Sequence, residues 1–351
     1  MSSAESLTEP AREPGSRFLH EIREQPDALL RLLEGDPEFA RVASEMRERG
    51  ATTIRMAGHG SSDNAASYGV YAFGLLPRWT SLRDSISLTV YYGAELDMSG
   101  CTALALSQSG RTPDVVEYAR CAKRRGAYVV AFTNDPSSEL ASEADAVLAL
   151  GAGPEKAVAA TKTYMNQVAA LGLLAAHAAG EDEGRTFADG VRATAETMRA
   201  FITSVESRIA NVAMPFAYAG RMFVVGRGPE FATAREIALK LLETCRIAAE
   251  PLTATDLAHG PVAAIDSLFP VWAIASDDAT LPAVVEAVER ARDAGATIVA
   301  SGSATEAIPA AEYVLPSPRA ASPLLAPLLS IVPGQLFASA LARARGLDPD
   351  V

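Results

Sequence analysis

Aromatic residues make up only 6% of this 351-residue chain, although hydrophobic residues reach 49%. Its cores must therefore be built from Ala, Val and Leu rather than from large rings. Cysteine is nearly absent, and Cys101, Cys121 and Cys245 lie far apart. Such scattered thiols exclude a disulfide framework and a metal-like ligand spacing, and an odd, low count fits reduced side chains in a cytosol. Long apolar runs are missing, since stretches such as Val168 to Ala176 are too short to span a bilayer. The N-terminus lacks the basic-then-apolar order of a signal peptide, so a cytoplasmic protein is expected. Positive charge is in deficit, with a formal net charge of -12. That balance argues against nucleic acid and anionic membrane as partners, while leaving room for a local pocket that holds a small phosphate. Lysine is the scarcest cation: Lys123, Lys156, Lys162 and Lys240 are the whole set. Where Arg supplies the surface charge, a remaining Lys can mark a place that guanidinium does not fit. The alternative is compositional drift, which is the reading for Lys123.

The stretch around which the chain is organised is ALALSQSGRTPDVVEYARCAKRRGAYVVAFT, residues 103–133. Ala103 to Leu106 and Ala127 to Phe132 read as buried strands. Pro113 suits a first helical turn, and Val115, Val116, Ala119 and Ala122 recur at helical spacing. A strand–loop–helix–strand unit implies a parallel sheet. Ser107, Ser109 and Thr112 place hydroxyls beside free backbone N–H groups at a helix start, which suits a phosphate monoester. A capped helix behind a polar turn is the plainer alternative.

Before that unit, residues 1–17 read as a mobile tail and 18–49 as N-terminal helices, interrupted at Pro26. Thr53 to Ala57 reads as a strand. Gly58 to Asn64 forms a glycine loop that lets backbone approach a ligand, with Ser62 where the next helix begins. His59 in this loop either titrates near a ligand or is a plain structural histidine. Ile86 to Tyr91 reads as another strand. Thr161 and Lys162 open a long Ala/Leu helix, where a cation opposes the macrodipole and calls for an anion, either a ligand or a carboxylate. Residues 181–212 form a charged helical connector between a first unit, 50–180, and a second, 213–351.

Met222 to Val225, Gly226 to Glu230 and the helix from Phe231 through Glu243 repeat the layout of residues 53–75. The economical architecture is α/β, with two tandem parallel sheets, each flanked by helices in a three-layer, flavodoxin-like arrangement. The second copy has Ser276-Asp277-Asp278 where the first has its hydroxyl loop, and those carboxylates would repel phosphate. One copy should therefore bind and the other buttress. Glu236, Lys240 and Glu243 share one face of a helix that is otherwise apolar around most of its circumference. Charges on a buried helix need partners or a task. His259, in the segment Asp256 to Pro261 that reads as a polar loop between helices, is a better acid–base candidate than His20 or His177, with a loop histidine capping a helix as the plainer alternative.

Taken together, EIREQP at 21–26, the glycine loop at 58–62, SQSGRT, VAATKT at 158–163, the helix at 236–243 and DLAHGP resemble the sugar-isomerase (SIS) domains of aminosugar-phosphate enzymes. The resemblance covers nearly all of the chain after residue 17. It implies two tandem SIS domains and no cofactor. It implies that Ser107, Gln108, Ser109 and Thr112 bind phosphate, with Ser62 closing the pocket, and that Val158 and Thr161 line the sugar. Ala160 stands where the aminotransferases of the family carry a serine. Glu243 matches the base that moves a proton between C1 and C2, Lys240 the lysine near the sugar, and His259 the ring-opening histidine. In the family that histidine comes from the other subunit, so a homodimer is implied. The resemblance is to the isomerase half of the aminotransferases, so the expectation is a protein without a glutaminase half. Family members usually continue past the GLDPD-like segment into a tail carrying a reactive lysine, whereas no lysine follows Lys240 here, so a Schiff-base step from such a tail is not expected. The expected activity is aminosugar-6-phosphate deamination. Its alternatives are a fructosamine-phosphate deglycase, an ammonia-dependent isomerase, and a non-catalytic sugar-phosphate sensor.

Overall fold

The computed structural model describes residues 13–351. Three helices lead the chain: α1 (Ser16–Arg23), α2 (Gln25–Leu33) and α3 (Asp36–Glu48). The first α/β unit contains β1 (Thr53–Ala57), α4 (Ser61–Leu75), β2 (Thr80–Arg83), α5 (Ile86–Val90), β3 (Cys101–Leu106), α6 (Pro113–Arg124), β4 (Tyr128–Thr133), α7 (Glu139–Glu143), β5 (Ala146–Ala149) and α8 (Lys162–Ala179). Helix α9 (Glu181–Ala213) leads to the second unit. That unit holds β6 (Arg221–Gly226), α10 (Glu230–Cys245), β7 (Ala248–Thr253), α11 (Ala254–Ala258), β8 (Pro270–Ile274), α12 (Leu281–Asp293), β9 (Thr297–Gly302), β10 (Tyr313–Pro316) and α13 (Ala326–Ala344).

Each unit is a five-stranded parallel sheet, ordered β2-β1-β3-β4-β5 and β7-β6-β8-β9-β10. Both faces of the first sheet are buried, so its strands read as near-continuous apolar runs. Ala103, Ala105, Val129 and Ala131 pack under Val115, Val116 and Ala119 of α6. On the other face, Leu104, Leu106, Val130 and Phe132 join the core of α4 and α8. The same core continues through Ile237 and Leu241 of α10, Leu336 and Leu341 of α13, and Val224 and Trp272 of the second sheet. The two units therefore share one packed interior, and α4 lies directly against α10. That contact positions the site.

Several sequence expectations need correction. Residues 86–91 are not a strand: 86–90 form the short helix α5. The run of β-branched residues mimics a strand, but Ile86 and Thr89 are the buried pair, at helical spacing. The edge strand is Thr80–Arg83 instead, half exposed and short of apolar side chains, hence invisible to a hydrophobic pattern. Strand β7, with Pro251 inside it, is also an edge and escapes for the same reason. Asp256 to Ala258 is the end of helix α11, which Thr253 caps, rather than loop. The expected mobile tail lies outside the described residues as far as residue 12. From Gly15 onward it is tied down. Gly15 N–H donates to Asp348 at 2.9 Å, and Phe18 N–H to the buried Asp350 at 2.7 Å, so two carboxylates from the far end of the chain cap α1. The charged connector is one 33-residue helix that buries Val191, Ala195, Met198, Ile202, Val205 and Ile209 along one side, against α2, α8 and α13. Among the described residues, no helix is long and apolar enough to cross a membrane.

Candidate active site

In an open parallel sheet, loops from adjacent strands diverge where the strand order reverses, and the gap at the strands' C-terminal ends accepts a ligand. In the first sheet that point lies between β1 and β3. A cavity of about 210 Å³ opens there, lined by the loop after β1, the loop after β3 and the start of α8. It brings together Ser62, Ser107, Gln108, Ser109 and Thr112, all expected from the sequence, and adds His59, Ser61, Thr163 and Gln167.

The loop after β3 is held in a defined shape. Ser107 and Thr112 hydroxyls lie 3.0 Å apart, and Ser109 Oγ accepts the Arg111 N–H at 3.2 Å. Gly110 has φ +63°, and a Cβ there would fall 2.0 Å from Ser138 Oγ, so the loop can press against the start of α7 only with glycine at this position. The Gln108 carbonyl accepts the Asn134 N–H at 3.0 Å, which fastens the loop to the end of β4. Across the cavity, Gln167 Nε2 donates to Ser62 Oγ at 2.9 Å. The result is a bowl of neutral donors beside the N-termini of α4 and α6, suited to phosphate oxygens.

Two residues expected at the sugar lie elsewhere. Val158 is 69% exposed and does not line the cavity. Thr161 is buried, and its N–H and hydroxyl both donate to Glu155 Oε1, at 3.0 and 3.2 Å. Glu155 also takes the Thr163 N–H and so caps α8 with a carboxylate. Ala160 and Thr163 face the cavity instead. The anion that Lys162 requires is Glu24, 2.6 Å from its ammonium, with the Pro154 carbonyl at 2.7 Å. The EIREQP segment thus acts as a clamp: Glu24 holds Lys162, and Glu21 accepts the N–H groups of Lys156 and Ala157. Burial, only partly offset by those N–H groups, holds the Glu21 carboxyl above its ordinary pKa.

Glu236 and Lys240 are fully buried on α10, and Glu243 reaches toward solvent. Lys240 Nζ lies 2.7 Å from Glu243 and 3.2 Å from Glu236. Burial by itself would lower the ammonium pKa, but the two carboxylates outweigh it and hold the value above the ordinary one. Lys240 is therefore a fixed positive charge and not a free amine. Glu236 also accepts Ser61 Oγ and Asn64 Nδ2, each at 2.8 Å, and Lys240 Nζ reaches Ser61 Oγ at 3.5 Å. Ser61 thereby belongs to both the hydroxyl bowl and the charged cluster. Neither Lys240 nor Glu243 lines this cavity, and the charged cluster meets its wall through Ser61; His259 follows α11, is exposed and does not line it either.

Sequence reading passed over Ser61, Thr163 and Gln167. A signal existed for the last two: they are polar side chains on α8, a helix buried almost throughout, and each needs a partner there. Ser61 had none beyond its neighbour Ser62.

The second sheet repeats the geometry with a different filling. Ser276 and Pro282 match Ser107 and Pro113 in spacing, and Glu230 falls at the position of Ser62. The Glu230 carboxylate is wholly buried and accepts Ser276, Thr233 and Ser330 hydroxyls, the last two at 2.7 Å. Burial pushes its pKa up, moderated by those hydroxyls. The expected repulsion by Asp277 and Asp278 is not the main obstacle to phosphate there. Asp277 is paired with Arg319, and Asp278 accepts the N–H and hydroxyl of Thr280. The larger obstacle is Glu230, which sets a carboxylate among the hydroxyls of the second switch point.

Fold and site define a class: paired parallel α/β units with a hydroxyl-lined bowl at the first switch point and a charged helix from the second unit against it. Comparison with known proteins agrees. The SIS domain model matches residues 49–177 and again 216–342. The isomerizing glutamine–fructose-6-phosphate aminotransferase of Aeropyrum pernix is 36% identical over 345 residues, covering 95% of this chain and 55% of that protein. The chain thus spans about half the length of the curated relatives it matches. A Silicibacter pomeroyi protein, described only provisionally as a phosphosugar isomerase, superposes with TM-score 0.84 at 35% identity over 95% of this chain and 99% of that one. Glucosamine-6-phosphate deaminase from Thermotoga maritima shares the fold, with TM-score 0.74 at 20% identity over 95% and 97% of the two chains. This chain belongs to the SIS domain family, and the curated relatives it matches at 33–36% identity are isomerizing glutamine–fructose-6-phosphate aminotransferases.

Proposed function

We propose that the chain is an aminosugar-6-phosphate deaminase, acting on a substrate of the glucosamine 6-phosphate type. The observation that carries this reading is Ser61, which lines the hydroxyl bowl and also touches Glu236 and Lys240. Phosphate held in the bowl would direct the far end of an open-chain sugar toward α10. Glu243 then removes the C2 proton, acidified by the C1 carbonyl, and a proton is returned to C1. The product is a C2 imine, which water hydrolyses to a ketose 6-phosphate and ammonia. A positioned base contributes roughly 10²–10⁴-fold, and the anchored phosphate supplies orientation. Lys240, kept protonated by two carboxylates, serves as a charge beside the enolate-like intermediate and forms no adduct. His259 assists ring opening from a second copy of the chain in a homodimer, as the family resemblance implies. A deglycase or an ammonia-dependent isomerase would use the same residues.

The test is a panel of hexosamine 6-phosphates with ammonia detection. Purified protein should release ammonia, and Glu243→Gln should lower turnover about 10²–10⁴-fold while retaining phosphate binding. Ammonia release only from fructosamine phosphates would favour the deglycase. Tight binding without turnover, indifferent to Glu243→Gln, would identify a sensor.

A further inference from the structure

A bowl that is to hold a phosphate dianion is short of positive charge. Its lining is hydroxyl, amide and apolar, and among the described residues His59 is the only ionisable side chain on it. Arg111, within the SQSGRT loop, turns outward and pairs with Asp135 at 3.2 Å. Lys162 is spent on Glu24 and Lys240 on two carboxylates. Hydroxyls and helix N-termini can satisfy phosphate oxygens, yet they bring no full unit of charge.

The His59 ring is placed to bring one. It is 53% exposed at the mouth of the bowl, with Nε2 3.5 Å from Asp114 Oδ2. Asp114 lies in the first turn of α6, beside Thr112, and its other oxygen accepts the Tyr91 hydroxyl at 2.9 Å. A carboxylate next to an imidazole orients the ring. The charged and titratable groups around His59 are therefore Asp114 on α6 and, behind it, Tyr91 after α5. On its own segment Asp63 is already matched by Arg83 and Arg235.

We propose that His59, as the imidazolium, is the charge partner of the bound phosphate, with Asp114 and Tyr91 positioning its ring. This deepens the phosphosugar reading of the bowl and rests on it. Affinity for a dianion should then depend on the imidazole at position 59 and fall as pH rises and the imidazolium is lost. Phosphate esters themselves titrate near pH 6, so inorganic sulfate, which stays a dianion throughout, is the cleaner probe.

The experiment is calorimetric titration of the intact protein with sulfate and with inorganic phosphate from pH 5.5 to 8.5. For the wild type, sulfate affinity should drop about tenfold across that range, the size expected for one charge-assisted contact. His59→Asn should bind weakly throughout, with a flat profile. In turnover assays His59→Asn should raise KM and leave kcat nearly unchanged. Equal sulfate affinity and an equal pH profile in wild type and His59→Asn would overturn the role of His59 while leaving the bowl a phosphate site. Failure of the wild type to bind either anion at any pH would overturn the bowl itself.

Discussion

Ser61 Oγ donates to Glu236 Oε1 at 2.8 Å, and this bond joins the hydroxyl bowl of the first unit to the buried charges of the second. It links the first turn of α4 to the middle of α10, two helices distant in the chain and packed together in the fold. Ser61→Ala should remove a donor from a carboxylate that has no access to water. The expected result is a fall in kcat of about tenfold, with thermal stability lowered by about 1–3 kcal/mol for the lost buried partner. Steady-state kinetics and denaturant melts measure the two effects separately. Unchanged kcat would mean that the bond is structural only.

Lys240 stands between Glu236 and Glu243, at 3.2 and 2.7 Å. Removing the cation leaves a buried carboxylate unpaired, at a cost of about 3–5 kcal/mol. Lys240→Met should therefore be much less stable than wild type, and Lys240→Met with Glu236→Gln should recover part of the loss. A double-mutant cycle from urea melts reads the coupling. Strict additivity of the two changes would show that the pair is energetically independent.

If His259 serves a neighbouring subunit, two inactive variants can rescue one another. Mixing Glu243→Gln and His259→Ala subunits after unfolding should yield mixed dimers with one site carrying both defects and one carrying neither. Random pairing then restores roughly a quarter of wild-type activity in a two-fold dimer. No recovery in a mixture shown to contain mixed dimers would place the histidine in its own subunit's chemistry, or outside the chemistry altogether.

Glu230 makes the second unit sensitive to pH. Its carboxyl is buried and held above the ordinary pKa, so it binds a proton more tightly in the folded than in the unfolded state. The stability it contributes is full below the unfolded value, near 4.3, and is lost as pH rises through the folded value. Glu230→Gln should melt higher than wild type at pH 8, and that advantage should shrink at pH 5. Parallel melting curves for the two proteins across that range would contradict this assignment.

Much of the site could be read from short-range pattern. SQSGRT between an apolar strand and Pro113 required a hydroxyl loop at a helix start, and the structure places Ser107, Ser109 and Thr112 there. Glu236, Lys240 and Glu243 share a helix face by spacing, and the burial of α10 follows from its apolar circumference. What misled was local composition without its surroundings. Ile86 to Val90 has the residues of a strand but folds as helix because Ile86 and Thr89 meet the core together. The resemblance put Thr161 at the sugar, whereas its N–H and hydroxyl are taken by Glu155, six residues earlier across a turn that no periodicity describes.

By itself, the order of residues determined the repeated α/β units, the hydroxyl loop and the charged face of α10, because each depends on neighbours within a few positions. Only the tertiary structure decided that Ser61 would meet Glu236, that Glu24 would claim Lys162, and that Glu230 would settle among the hydroxyls of the second switch point. Those pairings join segments far apart in the chain. They exist because two sheets share one core and press α4 against α10, a constraint of packing that no local pattern encodes.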